Sequence, residues 1–155
     1  MQEEQFLIRD RAYGVWHRSR SICRFIGTRE AQTLTMADLD SVLFVEYGHS
    51  NKLPLALVEV ARDIGQEKPT GVIHQLARMA DIPAFVALYS PAATANPASP
   101  AWHDIEAFRV RRVWPKPERQ WRLLSPGEWA EALVQIRDWQ LRRFSSRVAA
   151  NDSEY

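Results

Sequence analysis

Apolar positions alternate with polar and acidic ones between residues 36 and 63, MADLDSVLFVEYGHSNKLPLALVEVARD. This pattern predicts two strands, at Ser41–Tyr47 and at residues 55–61, joined by a polar turn over residues 48–52. The second strand, LALVEVA, is apolar enough to be buried on both faces. Glu59 lies within it, and a buried carboxylate needs a cationic partner or a metal ion. The stretch is therefore the first place to look for chemistry.

The rest of the pattern predicts three helices and two further strands. The helices are expected at residues 2–24, with a break near Gly14, at residues 70–81, and from residue 126 to about 145. The strands are expected at residues 84–89 and 105–114. Residues 28–35 are polar and leave room for a short first strand, whereas the Pro/Ala/Ser-rich residues 90–100 predict a loop.

Start signals and connections give the predicted fold class. Thr70 follows Pro69 at an N-cap position, and Ser125, Pro126 and Glu128 match a capping box. The helix between two strands implies a parallel pair joined by a crossover. The prediction is an α/β domain over residues 1–148, with a mixed central sheet, an antiparallel β-hairpin, a βαβ crossover and flanking helices. Residues 149–155 are predicted to form a disordered tail.

Composition narrows the class of protein. The chain has 155 residues, of which 46% are hydrophobic and 25% charged, as in globular domains. Its net charge of +1 means that any nucleic-acid binding depends on local clusters. The single cysteine, Cys23, excludes an internal disulfide and favours the cytoplasm. The sequence has no apolar run long enough to span a membrane. It also has no glycine-rich phosphate loop, so no nucleotide cofactor is predicted.

The acidic hairpin resembles the PD-(D/E)XK nuclease superfamily, in which an acid, a hairpin and an E-x-K motif build one site. Asp40 matches the first acid and Glu59 the second, and Asp38 is the alternative first acid because the local sequence is D-L-D. The resemblance covers roughly residues 38–89 and extends to small nucleases of phages and mobile elements. It implies a restriction-endonuclease-like fold and metal-dependent hydrolysis of phosphodiester bonds in DNA.

The resemblance also implies a set of site residues. Carboxylate oxygens favour Mg²⁺ or Mn²⁺, with Asp40, Glu59 and Asp38 as candidate ligands. The lysine position of the motif is occupied by Ala61, which departs from the superfamily pattern. A basic group has to come from elsewhere, and the candidates are Lys52, Arg62 and Lys68, of which Lys68 is preferred. Gln75 lies on the helix that lines the site in resembling folds, so it joins the catalytic candidates.

Basic residues interleaved with Phe108, Trp114 and Trp121 form a second cluster. Such a pattern suits phosphate contacts and base stacking, although arginine stems also cover apolar surface in ordinary cores. The candidate DNA-binding residues are Arg109, Arg111, Arg112, Lys116, Arg119 and Arg122, with Arg18 and Arg20 in the first helix. The resemblance further implies a homodimer as one oligomeric state.

Two other functions remain open. A nuclease-like fold that has lost cleavage would bind DNA or act as a regulatory protein, and Ala61 favours it. A protein-interaction module without a nucleic-acid role is favoured by the net charge near zero. Metal-dependent cutting separates the enzyme from both, and salt-dependent DNA affinity separates the second alternative from the others.

Overall fold

The computed structural model describes residues 11–35, 39–47 and 51–152. The chain divides into two compact units, residues 1–38 and 39–155, whereas the sequence indicated one domain over residues 1–148. The elements in chain order are α1 Arg11–His17, α2 Ser19–Ile26, α3 Thr28–Ala31, β1 Ser41–Tyr47, β2 Asn51–Arg62, α4 Gly71–Ala80, β3 Ala84–Asn96, β4 Ser99–Trp114, β5 Arg122–Leu124 and α5 Pro126–Asp152. The five strands of the described residues thus belong to the second unit.

The sheet has five strands in the order β1-β2-β3-β4-β5. Strands β2 and β3 run parallel and are connected through α4, whereas the other three neighbouring pairs are antiparallel. The predicted α/β class, the antiparallel hairpin and the parallel pair around a helix are therefore confirmed. Sequential strands are neighbours throughout, as is usual for short connections.

Two apolar clusters cover the two faces of the sheet. On one face Leu57, Val86 and Leu88 pack against Ile73 and Ala77 of α4. On the other, residues of β2, β3 and β4 pack against Trp129 of α5, which is 8% exposed. Because β2 is buried on both sides from Leu55 to Glu59, alternate side chains enter opposite clusters, as predicted for this strand. Glu59 is on the same face as Leu57, towards α4.

The N-terminal unit differs from its prediction in two ways. The helical segment breaks at Arg18, whose backbone is extended, rather than at Gly14, and the second helix continues to Ile26. Residues 28–35 form no strand, because Gly27 at φ +83° ends α2 and its carbonyl accepts the first hydrogen bond of α3. The part of the helix predicted for residues 2–10 lies outside the described residues.

Three predicted boundaries in the sheet unit also differ from the structure. Residues 90–100 were predicted to be a loop, but β3 continues to Asn96 and β4 starts at Ser99, so only a two-residue turn remains. Asn51 and Lys52 belong to β2 and not to the turn. The last helix extends to Asp152 and does not end near residue 145, so the predicted tail is helical as far as it is described.

Both predicted helix starts are found in the structure. Thr70 stands at the N-cap of α4 but donates or accepts no capping hydrogen bond with its side chain. At α5, the Ser125 hydroxyl accepts a hydrogen bond from the Glu128 N–H at 3.2 Å. Across the residues that the structure describes, no helix is long and apolar enough to cross a bilayer.

Candidate active site

Three ionisable side chains from separate segments meet at one end of the β1–β2 pair. The ammonium of Lys68 hydrogen-bonds Asp40 Oδ2 and lies 3.0 Å from Glu59 Oε2. Asp40 immediately precedes β1, Glu59 lies in β2, and Lys68 belongs to the irregular connection before α4. The Glu59 side chain is only 10% exposed, and those of Lys68 and Asp40 are 26% and 32% exposed. The site is thus half-enclosed and reachable from solvent.

The open backbone edge of Val60 explains why the three side chains converge. The last pair in the β1–β2 ladder is Ser41 with Val58, so Val60 lies beyond the end of β1. Its N–H donates to Asp40 Oδ2 at 3.1 Å, and its carbonyl accepts from Lys68 Nζ at 3.1 Å. Side chains therefore satisfy the backbone groups that a longer β1 would have bonded, as buried polar groups require.

Hydrogen bonding governs the protonation of this cluster. Partial burial of Asp40 would raise its pKa, but hydrogen bonds from Lys68 and from the Val60 N–H outweigh burial and lower the pKa. Burial would lower the pKa of Lys68, and its hydrogen bonds to Asp40 and Glu59 reverse this and raise the pKa. Asp40 and Lys68 are consequently both charged at neutral pH.

The oxygen atoms around the Lys68 ammonium suit a hard divalent cation. They are one carboxylate oxygen each from Asp40 and Glu59 and the carbonyl oxygen of Val60. Carboxylate and carbonyl oxygens are the ligands that Mg²⁺ prefers. Within the described part of the chain, no group of three or more His, Cys, Asp or Glu side chains forms a metal cluster. A cation here would rely on two side-chain ligands, a carbonyl and water.

Asp63 forms an ion pair with Arg109 that the sequence did not indicate. It directly follows β2 and accepts two hydrogen bonds from Arg109, at 2.6 Å from Nε and 2.9 Å from Nη2. Arg109, together with the Gly65 N–H, lowers the pKa of Asp63, and Asp63 in turn raises the pKa of Arg109. The signal in the sequence was its spacing, because residues 59, 61 and 63 share one strand face.

The predicted basic cluster is divided between the two faces of the sheet. Arg109 and Arg111 place their guanidinium groups 5.0 Å and 4.8 Å from the centre of the Trp121 ring, which packs against the α4-side cluster. Their neighbours Val110 and Arg112 lie on the α5 side. Three further members follow β4: Lys116 and Arg119 in the connection to β5, and Arg122 at its start. Together the six do not form one continuous surface.

Cross-strand register relates Arg111 to the acidic site. Glu59 pairs with Val86, and Val86 pairs with Arg111, so the three lie in one row across the sheet. The next row contains Ala61, Leu88 and Arg109. Arg109 is neutralised by Asp63, whereas none of the described acidic residues forms an ion pair with Arg111. Arg111 is therefore a cation of this face that no described acidic residue neutralises.

The other predicted site residues are less closely connected. Gln75 is exposed on α4, and no hydrogen bond of the described residues joins it to the acidic site. Asp38 lies outside the described residues. Lys52 pairs with Glu46 at 3.6 Å near the far end of the hairpin, so it is no substitute for the motif lysine. Arg18 and Arg20 belong to the N-terminal unit, in which Arg18 precedes α2 and Arg20 lies within it.

No protein-family model, no curated protein and no solved structure matches this chain.

Proposed function

We propose that the protein is a metal-dependent nuclease of the PD-(D/E)XK type that hydrolyses phosphodiester bonds in DNA. The observation that carries the proposal is the meeting of Lys68 with Asp40 and Glu59, with the ammonium 3.0 Å from Glu59 Oε2. The superfamily motif consists of two acids and one lysine that meet at one site. The lysine arrives from the connection before α4 instead of position 61, which is alanine.

The strand arrangement supports the same proposal. The first acid precedes a strand, the second acid lies in its antiparallel partner, and a helix then connects to a parallel strand. Such a unit is shared by proteins of unrelated activity, so fold alone carries little weight. The stronger support for the proposal is the side-chain cluster, in which two carboxylates lie beside one ammonium at the solvent-reachable end of the hairpin.

The metal would supply an activated water and neutralise charge on the scissile phosphate. Asp40, Glu59 and the Val60 carbonyl would hold it, since they already surround a cation, the Lys68 ammonium. Lys68 would then hydrogen-bond the attacking water or a phosphate oxygen, because an ammonium has three donors. The cluster has two acidic side chains for one ammonium, and a divalent cation would reverse this balance of formal charge.

Substrate would be held by the cations of the α4 face. Arg111 is the favoured phosphate contact, because it shares a strand row with Glu59 and its charge is not neutralised by a described acid. Trp121 supports its guanidinium group. Arg109 is held by Asp63 and therefore contributes more to the shape of the surface than to phosphate binding.

A cleavage assay tests the proposal. Purified protein is incubated with single-stranded, duplex and branched DNA in Mg²⁺, in Mn²⁺, and in a chelator. We expect cutting only with metal, and a loss of roughly 10²-fold or more in rate for Glu59→Gln and for Lys68→Gln. If the wild type cuts none of these substrates, the proposal that the protein is a nuclease is refuted.

Matched variants separate the site from general charge effects. Glu67→Gln removes an exposed acid from the same connection as Lys68, and Lys52→Gln removes an exposed lysine of β2. Both should cut at the wild-type rate. If they lose as much activity as Glu59→Gln and Lys68→Gln, the activity does not come from the proposed site.

A second candidate function has one specific observation in its favour. The Lys68 ammonium already contacts both acids, at the place where a metal would sit. A protein in which the lysine keeps the metal out of this site would bind DNA without cutting it, or would act as a regulatory protein. Salt-dependent DNA binding by the wild type, with no cleavage in either metal, would support this function over the nuclease.

Cellular context follows from the same proposal. Cys23 is a free thiol, as expected of an enzyme that works on DNA in the reducing cytoplasm. A homodimer would allow both strands of a duplex to be cut, and the molar mass in solution, measured by light scattering, tests this part of the proposal.

A further inference from the structure

A cleft of about 450 Å³ lies on the face of the sheet opposite the acidic site. It opens between α5 and the end of the sheet formed by β3, β4 and β5. Its lining includes Val110 and Trp129, which belong to the apolar cluster of the α5 side. Its volume is in the range of pockets that hold small organic molecules. None of the residues proposed for cleavage lines it.

The two walls of the cleft differ in chemistry. The α5 wall is apolar and aromatic, with Trp129, Ile136 and Trp139, and Phe85 of β3 contributes to the floor. The Arg143 guanidinium lies 4.5 Å from the centre of the Trp139 ring. Trp139 is 39% exposed and is thus within reach from solvent. A flat apolar group is the natural occupant of this wall.

The opposite wall has three cations, Arg112, Lys116 and Arg122. One acid, Glu118, lies among them. Its carboxylate accepts hydrogen bonds from the backbone N–H of Arg112 at 3.1 Å and from Arg122 Nε at 2.7 Å. Arg112 uses Nε for the Lys116 carbonyl at 3.2 Å, so its terminal nitrogens remain available. Lys116 forms no ion pair with any described residue. The wall is therefore cationic, and it is held in place by internal hydrogen bonds.

We propose that this cleft binds a nucleoside monophosphate unit. The base would pack against Trp139 and the apolar wall, and the phosphate would contact Lys116 and Arg112. A nucleotide joins a flat aromatic ring to an anionic group, which matches the chemistry of the two walls, and stacking on aromatic rings tolerates any base. The phosphate would be held by side-chain cations, since the sequence has no glycine-rich phosphate loop. The unit has two sources, a free mononucleotide or the terminal nucleotide of a single strand.

Isothermal titration calorimetry of the full chain tests the proposal. The probes are adenosine and thymidine 5′-monophosphates, adenosine, inorganic phosphate, and a short single strand with or without a 5′-phosphate. We expect both mononucleotides or the phosphorylated strand to bind, and adenosine and phosphate alone to bind at least about tenfold more weakly. Tighter binding of the phosphorylated strand identifies the strand end as the source, and tighter binding of mononucleotides identifies the free ligand.

Two variants and two controls assign the binding to this cleft. Lys116→Gln should weaken binding about tenfold, because it removes a charge-assisted contact. Trp139→Leu should weaken it roughly fivefold or more, because it removes the stacking surface. Arg137→Gln on the same helix and Trp102→Leu in the β3–β4 hairpin lie outside the lining and should bind as the wild type does. Circular dichroism checks that each variant is folded.

Three results would overturn the proposal. They are no binding of mononucleotide or strand, binding of phosphate alone as tight as that of the nucleotides, and wild-type affinity in both Lys116→Gln and Trp139→Leu. The test is independent of DNA cleavage, since the cleft and the acidic site lie on opposite faces of the sheet.

Discussion

Lys68 is the residue on which the acidic site depends. Its ammonium contacts two carboxylates and donates a hydrogen bond to the carbonyl of Val60. Lys68→Met would leave Asp40 and the nearly buried Glu59 without their cation, which is costly for buried charges. We expect the free energy of unfolding at neutral pH to fall by about 1–3 kcal/mol, measured by urea unfolding followed by circular dichroism.

Lys52→Met is the matched control for that prediction. Lys52 and Glu46 form an exposed ion pair, with side chains 59% and 64% exposed. Exposed pairs contribute about 1 kcal/mol or less, because solvent screens them. An equal loss of stability in the two variants would mean that Lys68 forms only an ordinary surface contact.

The lowered pKa of Asp40 predicts a dependence of stability on pH. An unperturbed aspartate titrates near 3.8, so the stabilisation is present above that pH and is lost as the pH falls through the lower pKa of the folded state. Wild type should exceed Asp40→Asn in unfolding free energy by about 1–2 kcal/mol at neutral pH. Urea unfolding over a pH series should show the difference closing under acid conditions; a constant difference would exclude the linkage.

Lys68 gives the complementary behaviour at high pH. Its pKa is raised from 10.5, so its stabilisation is present below that value and is lost as the pH rises through the raised pKa. At this scale the sequence was informative about Glu59, because an acid in a buried strand needs a cation, and the resemblance to the nuclease motif singled out Asp40 and Lys68. It was not informative about Asp63 with Arg109, because 46 positions separate the partners and only folding brings them together.

At the scale of elements, the start of α5 allows a sharp test. The Ser125 hydroxyl accepts the N–H of Glu128, one of the donors that a helix N-terminus leaves unpaired. Ser125→Ala should lower the free energy of unfolding by about 0.5–2 kcal/mol in urea unfolding. Ser145→Ala, at an exposed position within the same helix, should leave stability unchanged or slightly raised, because alanine has the higher helix propensity. A loss in both variants would point to a general effect of removing serine.

Elements were predicted best where apolar periodicity was strong, as in β1, β2 and α4. The error over residues 90–100 has a clear physical cause. Prolines and small residues suggest a loop, yet an antiparallel hairpin tolerates them at its outer end, where fewer backbone N–H groups are needed. The turn itself is closed by the Asn96 side chain, whose Oδ1 accepts the Ala98 N–H at 2.9 Å. That local bond favours a tight turn over a long loop.

At the scale of the whole molecule, both apolar clusters and every strand lie in residues 39–155. A fragment of these residues should therefore unfold in one cooperative transition on heating, monitored by circular dichroism. Its helical signal should fall only by the share of α1–α3. A fragment that lacks a cooperative transition would show that the sheet unit needs residues 1–38 to fold.

The fold class could be predicted from sequence because the longer strands and helices have clear periodicity, whereas β5, with three residues, was not predicted. Division into two units could not, since nothing in the composition changes at residue 38. The predicted strand at residues 105–114 already puts Arg109 and Arg111 on one face and Arg112 on the other. Only the structure shows that different helices cover the two faces.

The β3–β4 hairpin has a practical consequence. Strand β2 pairs with β3 only as far as Tyr89, so from Ser90 onward the hairpin is a two-stranded ribbon that ends in a turn at residues 97–98. Trp102 on this ribbon is 73% exposed. Exposed turns accept inserted peptides with little effect on the rest of a protein. An affinity tag or a fluorescent label placed between Pro97 and Ala98 would therefore leave both termini native while the acidic site and the cleft are studied.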